Sequence, residues 1–95
     1  MIYTYPACFF KEENGYSAIF PDLNYLATCD ETLEDAYIMA NEVLAFYIKE
    51  KLEDGNDIPV PSDVSAVSPQ AITEYLGLTD DDYIEAFIDF ISVTF

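Results

Sequence analysis

A small antiparallel sheet of three to four strands with one long helix packed on one face, an α+β fold in the order β-β-β-α-β, is what this 95-residue chain predicts. Three observations carry that expectation. Aromatic and β-branched residues fill the first thirty positions in short runs broken by turn residues. From Leu33 onward, apolar residues recur at spacings of three and four over more than five turns. The chain then closes on ISVTF, which again favours strand. At 52% hydrophobic and 16% aromatic, it can bury one modest core, so a single domain over residues 1–95 is expected.

The first strand is placed at about 2–10, IYTYPACFF. Pro6 has no N–H to give a ladder, so it calls for an edge position or an outward-facing site. KEENG follows as a turn, in which Asn14-Gly15 is expected to supply the positive φ of a tight hairpin. The second strand, about 16–20, sets Tyr16, Ala18 and Phe20 against Ser17 and Ile19. Pro21-Asp22 breaks it, and YLATC makes a third strand at about 25–29. Thr32 then caps a helix over about 33–54, with Asp35 three residues on and Glu34 beside the positive end of the dipole. Its stripe runs through Ala36, Tyr37, Ala40, Val43, Leu44, Tyr47 and Ile48, and Gly55 ends it.

Residues 58–69, IPVPSDVSAVSP, form a connector with three prolines that should run extended. Ser68-Pro69 can open a short helix through Leu76, closed by Gly77. The last segment reads two ways. As a helix, Thr79 would cap and Ile84, Phe87, Ile88 and Ile91 would form a stripe. As a strand of about 87–95, Phe87, Ile91, Val93 and Phe95 share one face. The strand is favoured, because the sheet needs a further member to bury the helix stripe.

Charge excludes whole classes of partner. Nineteen Asp and Glu against three Lys and Arg, with no His, give a formal net charge of −16. Nucleic-acid binding depends on cations that displace counterions from phosphate, so direct binding of DNA or RNA is not expected, and anionic membranes are disfavoured likewise. A basic protein is the favoured partner. No run is long enough to span a bilayer. Cys8 and Cys29 form no C-x-x-C pair and are expected to be reduced, packed thiols of a cytoplasmic protein.

Taken in order, YPACFF, the NG turn, YSAIFPDL, TLEDA and a long helix leaving through EDGNDIPVPSD resemble the HicB-like antitoxin family, over residues 3 to about 63. FIDFISVTF resembles the family's closing strand. Two departures are visible: Asn24-Tyr25-Leu26 stands where the family usually carries Pro-Gly-Cys, and Cys29-Asp30 where it often has Gln-Gly. The resemblance implies a partial ribonuclease H-like fold and the role of holding a HicA toxin inactive, HicA-type toxins being small basic ribonucleases that use a histidine. Many family members continue into a DNA-binding segment; no basic recognition element is seen through Phe95, so operator binding is not carried over.

The expected function is therefore that of a non-catalytic antitoxin which occludes a basic HicA-type toxin. A stand-alone oligomeric interaction module is the alternative. No catalytic, cofactor or metal residues are assigned. Asp80-Asp81-Asp82 lacks the alternation and glycine of a calcium loop and reads as a solvated charge run. Candidate partner contacts are Asp22, Asp30, Glu31 and Glu34, with Tyr25 beside them. Asp35 clusters with these acids. Exposed sheet edges also suggest a homo-oligomer, a dimer or higher.

Overall fold

The computed structural model describes residues 1–63, 66–79 and 81–95. Val64 and Ser65 of the connector and Asp80 of the acidic run lie outside the described residues. Four strands, β1 (Ile2–Glu12), β2 (Gly15–Phe20), β3 (Leu26–Asp30) and β4 (Glu85–Thr94), form one antiparallel sheet in the order β3-β2-β1-β4. Helix α1 (Leu33–Asp54) crosses one face, and α2 (Pro69–Leu76) lies against the other. The β-β-β-α-β order holds, and the final segment is a strand that starts two residues earlier than expected. No helix among the described residues is long and apolar enough to cross a membrane.

α1 has the bounds its sequence predicts because its ends are chemically marked. The Thr32 hydroxyl accepts the Asp35 N–H at 3.1 Å, and Gly55 stops the helix at φ 69°. Ala36 and Ala40, small enough for close approach, are followed by Leu44 and Ile48, all fully buried. They pack on Tyr5, Ala7, Phe9, Ala18, Phe20, Ile91 and Val93. Tyr37 stacks on Phe9 at 4.4 Å between ring centroids, and Phe9 stacks on Phe87 at 5.4 Å. The Tyr37 hydroxyl donates to Asp89 at 2.5 Å. Burial, aided by this bond and the carboxylate charge, pushes the Tyr37 phenol up to about 12.

The opposite face has its own core, which explains why YPACFF is unbroken by polar residues. Cys8, Phe10 and Ile19 point there and are covered by Ile72 of α2. A strand covered on both sides must be apolar at consecutive positions. Burial pushes the Cys8 thiol up to about 12.

Two local expectations are corrected and one is decided between its alternatives. Cys29 is exposed, not packed, because it projects from β3 beyond the cover of α2. For Pro6 the second of the two expected positions holds: β1 pairs with both β2 and β4, so it is no edge strand, but the Pro6 nitrogen faces away from any ladder partner. It is tolerated through phase. Met1 and Phe95 exchange both of their backbone bonds, so odd residues of β1 address β4 and even ones address β2. The β2 ladder begins only at Cys8, leaving no partner for the N–H that Pro6 lacks.

The second correction concerns the first hairpin. Neither Asn14 nor Gly15 has a positive φ, and Glu13-Asn14 forms the two-residue loop closed by the Glu12–Gly15 pair. Gly15 is required for another reason: a Cβ there would collide with the Asp30 carbonyl. The left-handed backbone occurs instead at Asn24 and Tyr25, both at φ 58°, where the resemblance leads one to expect a glycine.

Candidate functional site

The β1–β2 turn and the stretch before β4 come together because β1 pairs with β4 in the register Lys11 to Glu85. That register sets residues 81–84 beside Glu12–Gly15, and the end of β3 joins them through its pairing of Asp30 with Tyr16. The result is an open cleft of about 1000 Å³ at one end of the sheet. Glu12, Glu13, Asp30, Glu31, Asp81 and Asp82 line it, with Tyr16, Tyr83 and Ile84 supplying apolar surface. Among the described residues that line it there is no lysine, so its walls carry net negative charge.

Within the cleft, several acids have local tasks. Glu12 accepts the Ser17 hydroxyl at 2.5 Å. Asp30 accepts the following N–H of Glu31 at 2.8 Å, and Asp82 accepts the Thr79 N–H at 2.7 Å. Among the described residues, no three Asp, Glu or Cys side chains are placed to hold a metal ion. The carboxylates are spread along the walls, an arrangement that suits several cationic groups on one partner better than a single ion.

The fold divides the residues singled out from sequence. Asp30 and Glu31 share the cleft. Glu34 and Asp35 are exposed on the first turn of α1 and do not line it. The Asp22 carboxylate is engaged within the chain: it accepts the Ser62 N–H at 2.7 Å and the Ser62 hydroxyl at 2.6 Å, strapping the connector down. The Tyr5 hydroxyl fastens the same segment by donating to the Pro59 carbonyl at 2.5 Å. Tyr25 stacks on Tyr75 of α2, ring centroids 4.0 Å apart and ring planes nearly parallel at 6°.

Glu12, Glu13, Asp81 and Asp82 are cleft residues that sequence reasoning missed. A signal existed: two acidic runs, KEEN and DDD, each border a strand. Only the β1–β4 register makes them neighbours, and no periodicity reports a register.

The sheet with its crossing helix is a fold also found in chains of bacterial toxin-antitoxin complexes. Residues 4–72 match the family described as HicB_like antitoxin of bacterial toxin-antitoxin system. The chain belongs to this HicB-like family. It is 36% identical over 58 residues to Antitoxin HicB 2 of Photorhabdus laumondii, covering 61% of this chain and 42% of that protein. It is 34% identical over 55 residues to an uncharacterized 14.9 kDa protein in the rep-hol intergenic region of Haemophilus phage HP1, covering 58% and 41%. The chain thus spans about two fifths of the length of these relatives.

Among solved structures, a chain of a toxin-antitoxin complex from Streptococcus pneumoniae superposes with a TM-score of 0.80 at 30% identity, covering 99% of this chain and 70% of that one. A chain of the HicA3 and HicB3 toxin-antitoxin complex superposes at 0.66 with 22% identity, covering 94% and 95%, and supports the fold alone.

Proposed function

We propose that this chain is the toxin-binding domain of an antitoxin, and that it inactivates a small basic HicA-type ribonuclease by covering the toxin's RNA-binding face, with no catalysis of its own. The observation that carries the reading is the cleft walled by six carboxylates and free of lysine. Cationic groups that a ribonuclease presents to phosphate are the complement of such a surface, and a protein seated there excludes RNA. Apolar surface from Tyr16, Tyr83 and Ile84 supplies the short-range contribution that charges alone do not.

The toxin's substrate places the action in the cytoplasm. The chain leaves nucleic acid to its partner, since a net charge of −16 repels phosphate. Co-expression with a HicA-type toxin tests the reading. Growth arrest caused by the toxin should be relieved, and binding of the purified proteins should weaken steeply as salt rises. Absence of binding at low salt overturns it.

A further inference from the structure

The two edges of the sheet are not equivalent. Along an antiparallel strand, the N–H and C=O of one residue face the same side, and successive residues alternate. With odd residues of β4 addressing β1, the even ones, including Ile88, Phe90, Ser92 and Thr94, present their backbone at the outer edge. The middle of that edge is taken up by the chain itself. Asp89 Oδ1 accepts the Phe90 N–H at 2.8 Å while Asp89 Oδ2 is held by Tyr37, and Asn41 of α1 donates to the Ser92 carbonyl at 2.9 Å. A strand arriving at β4 would have to displace side chains already anchored to the helix.

At the other edge, the β2–β3 register sets Leu26, Thr28 and Asp30 toward β2, so Ala27 and Cys29 face outward. Both are exposed, and among the described residues no side chain or loop bonds to their backbone groups. Two donors and two acceptors therefore stand open in one row. The row is bounded on one side by the left-handed turn at Asn24-Tyr25, and it runs on the other into the cleft that Cys29, Asp30 and Glu31 help to line.

We infer that β3 is the docking edge of this domain: an extended strand of a basic protein adds antiparallel to Ala27–Cys29, and the Lys or Arg residues next to that strand enter the acidic cleft. Backbone bonds of this kind provide affinity and register, while flanking charges select the partner. The inference rests on the antitoxin reading for the identity of the partner, a HicA-type toxin, and adds the element through which it is held.

The test uses a HicA-type toxin, inactivated by alanine at its catalytic histidine, titrated with the native chain and with Ala27→Pro and Thr94→Pro. Proline removes one outward N–H in each variant and leaves the internal ladder intact, so cooperative melting should be retained. Ala27→Pro should weaken binding at least ~10-fold, the loss of a backbone bond and its neighbour, while Thr94→Pro on the β4 edge should bind like the native chain. Hydrogen exchange of the native complex should show new protection at Ala27 and Cys29. Protection at Ile88 and Phe90 instead, or undiminished binding by folded Ala27→Pro, overturns the β3 assignment while the antitoxin reading stands. A native chain that does not bind the toxin overturns both. Should Ala27→Pro not fold, the exchange pattern of the native complex decides without it.

Discussion

The two faces of the sheet are buried by unequal means. On one, a 22-residue helix lays a fully buried row of Ala36, Ala40, Leu44 and Ile48 along three strands. On the other, an eight-residue helix contributes Ile72 to the apolar core and leaves Tyr75 68% exposed. The first face is the thermodynamic core. The second is a smaller satellite fastened by Ile72, the Tyr25–Tyr75 stack and the strapped connector. Domains lose such satellites at lower free energy than they lose the core, so the face that borders the cleft is also the one able to adjust.

Truncation separates the faces most sharply. Leu44→Ala should lower global stability by ~2–5 kcal/mol, since the cavity it leaves between helix and sheet cannot collapse. Ile72→Ala should cost less in a denaturant melt and should free the α2 amides to exchange while the α1 amides remain protected. Equal global losses would show that the two cores unfold as one unit.

The connector links the faces, and its clasp is next in size. Asp22→Ala leaves the Ser62 N–H and hydroxyl without their acceptor and should cost ~1–3 kcal/mol. Proteolysis near Ser62 should become faster, with the α1 core unaffected. A variant as resistant as the native chain would show that the Tyr5–Pro59 bond holds the connector by itself.

Alkaline pH gives the smallest contrast. Tyr37 on the α1 face and Cys8 on the α2 face both have pKa values raised to about 12, from ordinary values of 10.0 and 9.0. In that interval the folded state retains a proton that the unfolded state has released, so stability falls as pH rises. The contribution of Cys8 is complete below pH 9.0 and lost toward about 12, and that of Tyr37 is complete below 10.0 and lost over the upper part of the same range. Tyr37→Phe should flatten the decline in melting temperature above pH 10, and Cys8→Ala should flatten it from pH 9. A decline unchanged in both would assign the alkaline loss to other groups.

Much of this was legible in the residues. α1 was legible to its ends because Thr32, the three-and-four spacing and Gly55 act within a few residues of one another. α2 was legible for the same reason, through Ser68-Pro69 and Gly77. The closing strand required a tertiary argument, that a helix stripe needs sheet beneath it. Less could be read where two segments far apart in the chain decide the outcome. Asn14-Gly15 looked like a left-handed turn, but Gly15 is small because the Asp30 carbonyl crowds it. Asp22 looked free, but Ser62, forty residues away, takes both of its oxygens. Cys29 looked like Cys8, and α2 covers only one of them.

Composition and local periodicity alone determined the fold class, the long helix, the strand order along the chain and the anionic character of the surface. These are properties of single residues or near neighbours, and they survive without knowing what packs against what. The tertiary structure alone decided which acids share the cleft, which sheet edge is guarded and which is open. Those depend on ladder register, and a shift of one residue would turn every side chain and every backbone bond to the opposite side.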